Sequence, residues 1–223
     1  MKKIIFLALV ISSLHGLAKA QTAVSKKENL SSFETAMLNN IRQMDTAATA
    51  STFIALANNF ERIGNAEKSK WQPFYYASYC YTAMAFMSPD KTKIDGLADK
   101  AETFLQQAED IEKNNSEISC LFAMINSCRI LVDPVSRFQT KGKEVQTLLA
   151  KAKEEDNNNP RIYLLQARMQ LRTPEAFGGG KKIAKESIEK AIEKFKTFTP
   201  KNIVSPAWGE AQAKALLEKI NTE

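Results

Sequence analysis

One phrase returns four times along this chain: Ala or Val, three residues, Leu or Ile, two residues, Ala. It reads Ala50-Ile54-Ala57, Ala101-Leu105-Ala108, Val145-Leu149-Ala152 and Ala184-Ile188-Ala191. Positions four and three apart share one helix face, and small residues on that face let a second helix approach closely. The copies are spaced by about forty to fifty residues, a period that signals stacked supersecondary units rather than one irregular bundle. The phrase therefore marks the second helix of each of four hairpins, and a stack of hairpins presents surfaces for binding.

The rest of the chain supplies the partners. Ser31-x-x-Glu34 is a capping box that opens a first helix bearing Phe33, Met37, Ile41 and Met44. A second helix carries Phe53, Leu56, Ala57 and Phe60 and stops near Gly64. Pro73 starts a third, and no charged residue falls between Trp71 and Met87. A helix apolar all round packs on several neighbours at once. Ser116-Glu117 opens another nearly charge-free helix, and Gly96 marks a soft start for the one before it. Asp133-Pro134 and Asn159-Pro160 each read as an N-cap followed by a first-turn proline, with an interruption expected near Gly142. Trp208, Ala211, Ala215, Leu216 and Ile220 belong to a closing helix. No segment shows sustained alternation or a hairpin turn of the β type. The expected fold is all-α: a right-handed superhelix of about four degenerate tetratricopeptide-like hairpins plus a C-terminal capping helix, filling residues 31–223 as a single domain.

Residues 1–20 read differently. Lys2 and Lys3 precede an apolar run from Ile4 to Leu17, and Ala18-Lys19-Ala20 is a small-x-small cleavage site. The run is too short to span a bilayer comfortably. We read it as a signal peptide cleaved near Ala20, followed by a flexible arm over 21–30, which places the product in the periplasm or outside the cell. Cleavage removes His15, the single histidine, and with it imidazole bases, His metal ligands and Ser-His or Cys-His nucleophile pairs. It also removes three lysines, leaving 28 basic against 25 acidic residues, so the formal charge falls from +6 to about +3. That balance argues against nucleic acid as a partner. Cys80, Cys120 and Cys128 remain. Cys120 and Cys128 lie on one predicted helix about 12 Å apart along its axis and cannot bridge each other. A link from Cys80 to either is open, beside the simpler reading of three buried thiols.

Several phrases point to a group. Trp71-x-Pro73 with Tyr75-Tyr76-Ala77, Asn115-Ser116-Glu117-Ile118, Asp133-Pro134 with Arg137, Asn159-Pro160-Arg161, Thr173-Pro174-Glu175-Ala176-Phe177-Gly178-Gly179-Gly180-Lys181 and Pro206-x-Trp208-Gly209 together resemble a family of exported tetratricopeptide-repeat-like proteins of Bacteroidota. The resemblance runs from about Asn59 onward. It implies an all-helical fold and a signal peptide, and it brings no catalytic residue and no cofactor.

Two sets of residues stand out as binding candidates. Tyr75 and Tyr79 on the third helix, with Arg161, Arg168 and Arg172 on one face of the seventh, form an aromatic and basic wall suited to a protein or peptide partner. Core packing of the tyrosines and a solvated arginine face are the plainer readings. Gly179, Gly180 and Lys181 fail the phosphate-loop pattern, because no Ser or Thr follows the lysine and no strand precedes. Backbone amides there could hold an anion, or the glycines make a tight turn that tucks Phe177 into the stack. Asp45-Thr46-Ala47 resembles the short O-glycosylation acceptor of exported Bacteroidota proteins, or is an ordinary cap. No catalytic residue, metal site or cofactor is expected. The expected function is a non-enzymatic exported scaffold for a protein or peptide. The alternative is a soluble component that binds a small hydrophobic or anionic ligand in solute uptake.

Overall fold

A computed structural model describes residues 30–222; the leader over 1–20, its cleavage position and nearly all of the 21–30 arm lie outside the described residues. Among the described residues there are nine α-helices and no strand. They are α1 (Ser32–Asp45), α2 (Ala50–Ala66), α3 (Gln72–Met87), α4 (Ile94–Ile111), α5 (Ser116–Ile130), α6 (Pro134–Glu155), α7 (Pro160–Arg172), α8 (Lys181–Thr197) and α9 (Glu210–Thr222). Consecutive pairs α1/α2, α3/α4, α5/α6 and α7/α8 pack as hairpins, α9 lies on α8, and α1, α3, α5 and α7 touch in succession. This is the all-helical repeat stack that the periodicity predicts.

Local signals place the helix ends. Ser31 and Glu34 form the complete capping box at α1. The Asp133 side chain accepts the Ser136 amide at 3.2 Å ahead of Pro134, and Asn159 accepts the Arg161 amide at 3.0 Å ahead of Pro160. Each cap satisfies a helix-end donor that would otherwise need water. The two charge-poor helices, α3 and α5, are buried along most of their length. Arg129 and Arg137 clamp α4 from outside: Arg129 donates to Asp99 at 2.7 Å and to Glu102 at 2.6 Å, and Arg137 donates to both oxygens of Asp95 at 2.7 and 2.8 Å.

Three copies of the recurring phrase are buried as predicted, in α4, α6 and α8. The first is out of register. Ile54 is 46 % exposed, and the set facing the core is Phe53, Ala57 and Phe60. The spacing of that set is the same, but phenylalanines replace the small residue at one end and the alanine at the other. Their larger apolar area, worth about 1.5–3 kcal/mol for each buried side chain, decides which face turns inward.

Two glycines, Gly64 near the expected end of α2 and Gly142 at an expected interruption of α6, bring helices together. A Cβ at Gly64 would sit 2.8 Å from the Phe74 ring, so α2 continues to Ala66 and its glycine admits α3. α6 runs unbroken through Gly142, where a Cβ would meet the Met169 methyl at 3.0 Å. Trp208 precedes the last helix rather than lying on it, because Gly209 takes φ +117° and redirects the chain. Cys80, Cys120 and Cys128 are free and buried, and burial pushes the Cys80 thiol up to about 12.

Candidate functional site

Helix α7 organises the site, and its two ends face different surroundings. At its N-terminal end Arg161 is 0 % exposed. Its guanidinium donates to Glu117 at 2.9 Å and to the Pro206 carbonyl at 2.8 Å. Phe198 and Trp208 stack on it, with ring centroids 4.8 and 5.0 Å away. An arginine survives burial here because its charge is matched and its flat faces meet aromatic rings. Burial pushes the Glu117 carboxyl up to about 7, against the pull of Arg161. The connector between α8 and α9 is thus fastened to the core. Trp208 adds a second fastening, donating its indole N–H to the Tyr75 hydroxyl at 2.9 Å.

At the C-terminal end of α7 a cleft of about 530 Å³ opens, walled by α3, α5, α6 and α9. Phe86 of α3 and Met124 and Ile130 of α5 form its apolar floor, Phe138 of α6 and Met169 of α7 its sides, and Leu216 and Lys219 of α9 a further wall. Arg168 and Arg172 project from α7 into the same space. The lining is mostly apolar with a few convergent polar groups, and the volume falls within the range of about 300–1,000 Å³ usual for small-molecule pockets. A second groove of about 710 Å³ shares Pro134, Phe138, Met169 and Arg172 with it and runs out between Val135 and Phe177, which are 91 % and 77 % exposed.

Arg168 is electrostatically unusual. It is partly buried, and among the described residues its side-chain hydrogen bond goes to a neutral group, the Gln212 carbonyl oxygen of α9 at 2.7 Å. Among the described residues no carboxylate lies within ion-pair reach of it or of Arg172. Burial lowers its pKa; the Tyr79 hydroxyl pulls the other way, and the like charge of Arg172 lowers it again. A guanidinium left in a low-dielectric wall without a counter-ion favours a ligand that brings one.

The predicted residues therefore divide. Arg168 and Arg172 line the cleft, and Tyr79 sits behind them against Trp208, ring centroids 5.3 Å apart. Tyr75 and Arg161 share the buried box at the other end of α7 and present nothing to a partner. The even seven-residue spacing put both arginines on one face, but the depth of that face is set by the connector and Glu117, more than forty residues away. The glycine turn has already spent its amides: Gly179 N–H donates to the Pro174 carbonyl and Gly180 N–H to the Gln170 carbonyl, at 3.1 and 2.9 Å. A Cβ at Gly179 would meet the Thr173 carbonyl oxygen at 2.0 Å, so close backbone crossing accounts for glycine there. Phe177 points out rather than into the stack. Thr46 is exposed and its hydroxyl caps the Gln43 carbonyl. Sequence reasoning missed Met124, Phe138, Gln212 and Leu216; nothing in their local patterns distinguishes a cleft wall from a core.

No protein-family model and no curated protein matches the chain. Among solved structures it is similar to the HusA haemophore from Porphyromonas gingivalis, with 36 % sequence identity, a TM-score of 0.78, and coverage of 86 % of this chain and 94 % of that one. With that identity over nearly the full length of its relative, the chain belongs to the family of the HusA haemophore.

Proposed function

We propose that this protein is a non-enzymatic, exported binding protein for a flat apolar ligand bearing carboxylates, a tetrapyrrole of the haem class. The observation that carries the reading is Arg168, a partly buried guanidinium without a carboxylate partner among the described residues, set in the wall of an apolar cleft. The relationship to a haemophore supplies the ligand class. This favours the small-ligand alternative over the peptide scaffold. Two of the five residues that suggested a peptide surface are buried, and two more, Arg168 and Arg172, line a cleft sized for a small molecule.

The lining also says how such a ligand would be held. Among the described residues it contains no histidine, cysteine or tyrosine, and Met124 and Met169 offer its only sulfur atoms. Recognition then comes from apolar contact with the ring and from Arg168, Arg172 and Lys219 facing its carboxylates. The metal contributes little. Export is supported by the leader-like residues 1–20 and the haemophore relative, and we read the hairpins as degenerate tetratricopeptide-like pairs. An absorbance titration of residues 21–223 with haem and with metal-free protoporphyrin tests the proposal. Saturable one-to-one binding of both, with similar affinity, is expected. Absence of binding to either would overturn it.

A further inference from the structure

Among the described residues four arginines are held by long-range hydrogen bonds, and they are held in two ways. Arg129 is bonded to Asp99 and Glu102, Arg137 to Asp95, and Arg161 to Glu117, all carboxylates. Arg168 is bonded to an amide, Gln212, 44 residues away. We propose that Gln212 is a specificity-determining residue of the cleft, which aims the Arg168 guanidinium without cancelling its charge and so reserves that charge for a carboxylate on the ligand. This inference rests on the tetrapyrrole reading and adds the residue that gives the site its preference for acids.

The geometry supports a positioning role. Gln212 lies one turn before Leu216 on α9, and Leu216 lines the cleft, so both stand on one face of that helix. The amide's carbonyl oxygen accepts from the Arg168 guanidinium at 2.7 Å, which holds that side chain at one end. One N–H of a five-donor fork is thereby used, leaving a two-pronged edge for an oxyanion. Fixing a long, rotamer-rich side chain before the ligand arrives removes part of the entropy cost of binding. A carboxylate at position 212 would hold the guanidinium equally well and neutralise it.

The test compares protoporphyrin with its dimethyl ester on wild type, Gln212→Glu and Gln212→Ala. Wild type should prefer the diacid. Gln212→Glu should lower diacid affinity by about tenfold or more, the size expected when a charged hydrogen bond is lost, with the diester unchanged within about twofold. Its melting temperature should be equal or higher, since it completes an ion pair. Gln212→Ala should lower diacid affinity by a smaller factor, because the charge survives and only its aim is lost. Full retention of the acid preference in Gln212→Glu would overturn the inference, as would an equal fall for both ligands. If wild type binds neither porphyrin, the underlying tetrapyrrole reading fails instead, and that result is visible before any variant is made.

Discussion

Arg161 and Arg168 sit seven residues apart on the same face of α7, yet their surroundings are opposite. Arg161 is sealed between Phe198 and Trp208 with Glu117 as its counter-ion, whereas Arg168 stands in a cleft wall with only an amide for company. One end of the helix spends a cation on closing the fold, and the other leaves a cation unspent. The lesson is that a basic stripe read from spacing carries no information about function until the counter-charge of each member is known. A buried pair holds the packing together; the partly buried charge without a carboxylate partner is where we propose that a ligand binds.

The sharpest break of this comparison is Arg161→Ala. It strands Glu117 in the core and should cost about 3–5 kcal/mol of unfolding free energy, read from a denaturant titration. Replacing both partners with methionine should recover much of that loss. The matching change, Arg168→Ala, should leave the unfolding midpoint unchanged or slightly raised and lower the affinity for protoporphyrin by about tenfold or more. If the two variants lose stability alike, the contrast between the ends is false.

A smaller effect separates the ends by pH. The Glu117 carboxyl titrates at about 7 in the folded protein against an ordinary value of 4.5, so the folded state binds more protons than the unfolded state between those values. Its contribution to stability is fully present below pH 4.5, declines as pH rises and is lost above about 7. The melting temperature should fall across that window, and Glu117→Gln should flatten the fall. A profile unchanged by Glu117→Gln would contradict the assignment. The smallest effect belongs to the rim. Phe177→Ser should change stability by less than about 0.5 kcal/mol and leave protoporphyrin affinity unchanged, because Phe177 borders the outer groove and not the cleft.

Much of the scaffold was legible in the sequence, because caps, first-turn prolines and apolar periodicity act within one or two turns. Asp133-Pro134 and Asn159-Pro160 placed α6 and α7 for that reason. Register failed for one copy of the recurring phrase, at Ala50 and Ile54, whereas Phe53, Leu56, Ala57 and Phe60, named as the apolar set of that helix, face the core. Gly142 was misread because a glycine that interrupts a helix and one that admits a neighbour look alike until the neighbour, Met169, is in place. The cleft was half legible. Arg168 and Arg172 were nominated from the sequence, but their significance depends on Gln212, Phe138 and Leu216 converging from α9 and α6.

The account is tested most directly by a crystal structure of residues 21–223 with protoporphyrin. It predicts the ring in the cleft against Phe86, Met124 and Phe138, with a carboxylate within hydrogen-bond distance of the Arg168 guanidinium and Gln212 still bonded to its other side. A ring seated in the outer groove between Val135 and Phe177, with Arg168 touching no carboxylate, would contradict it.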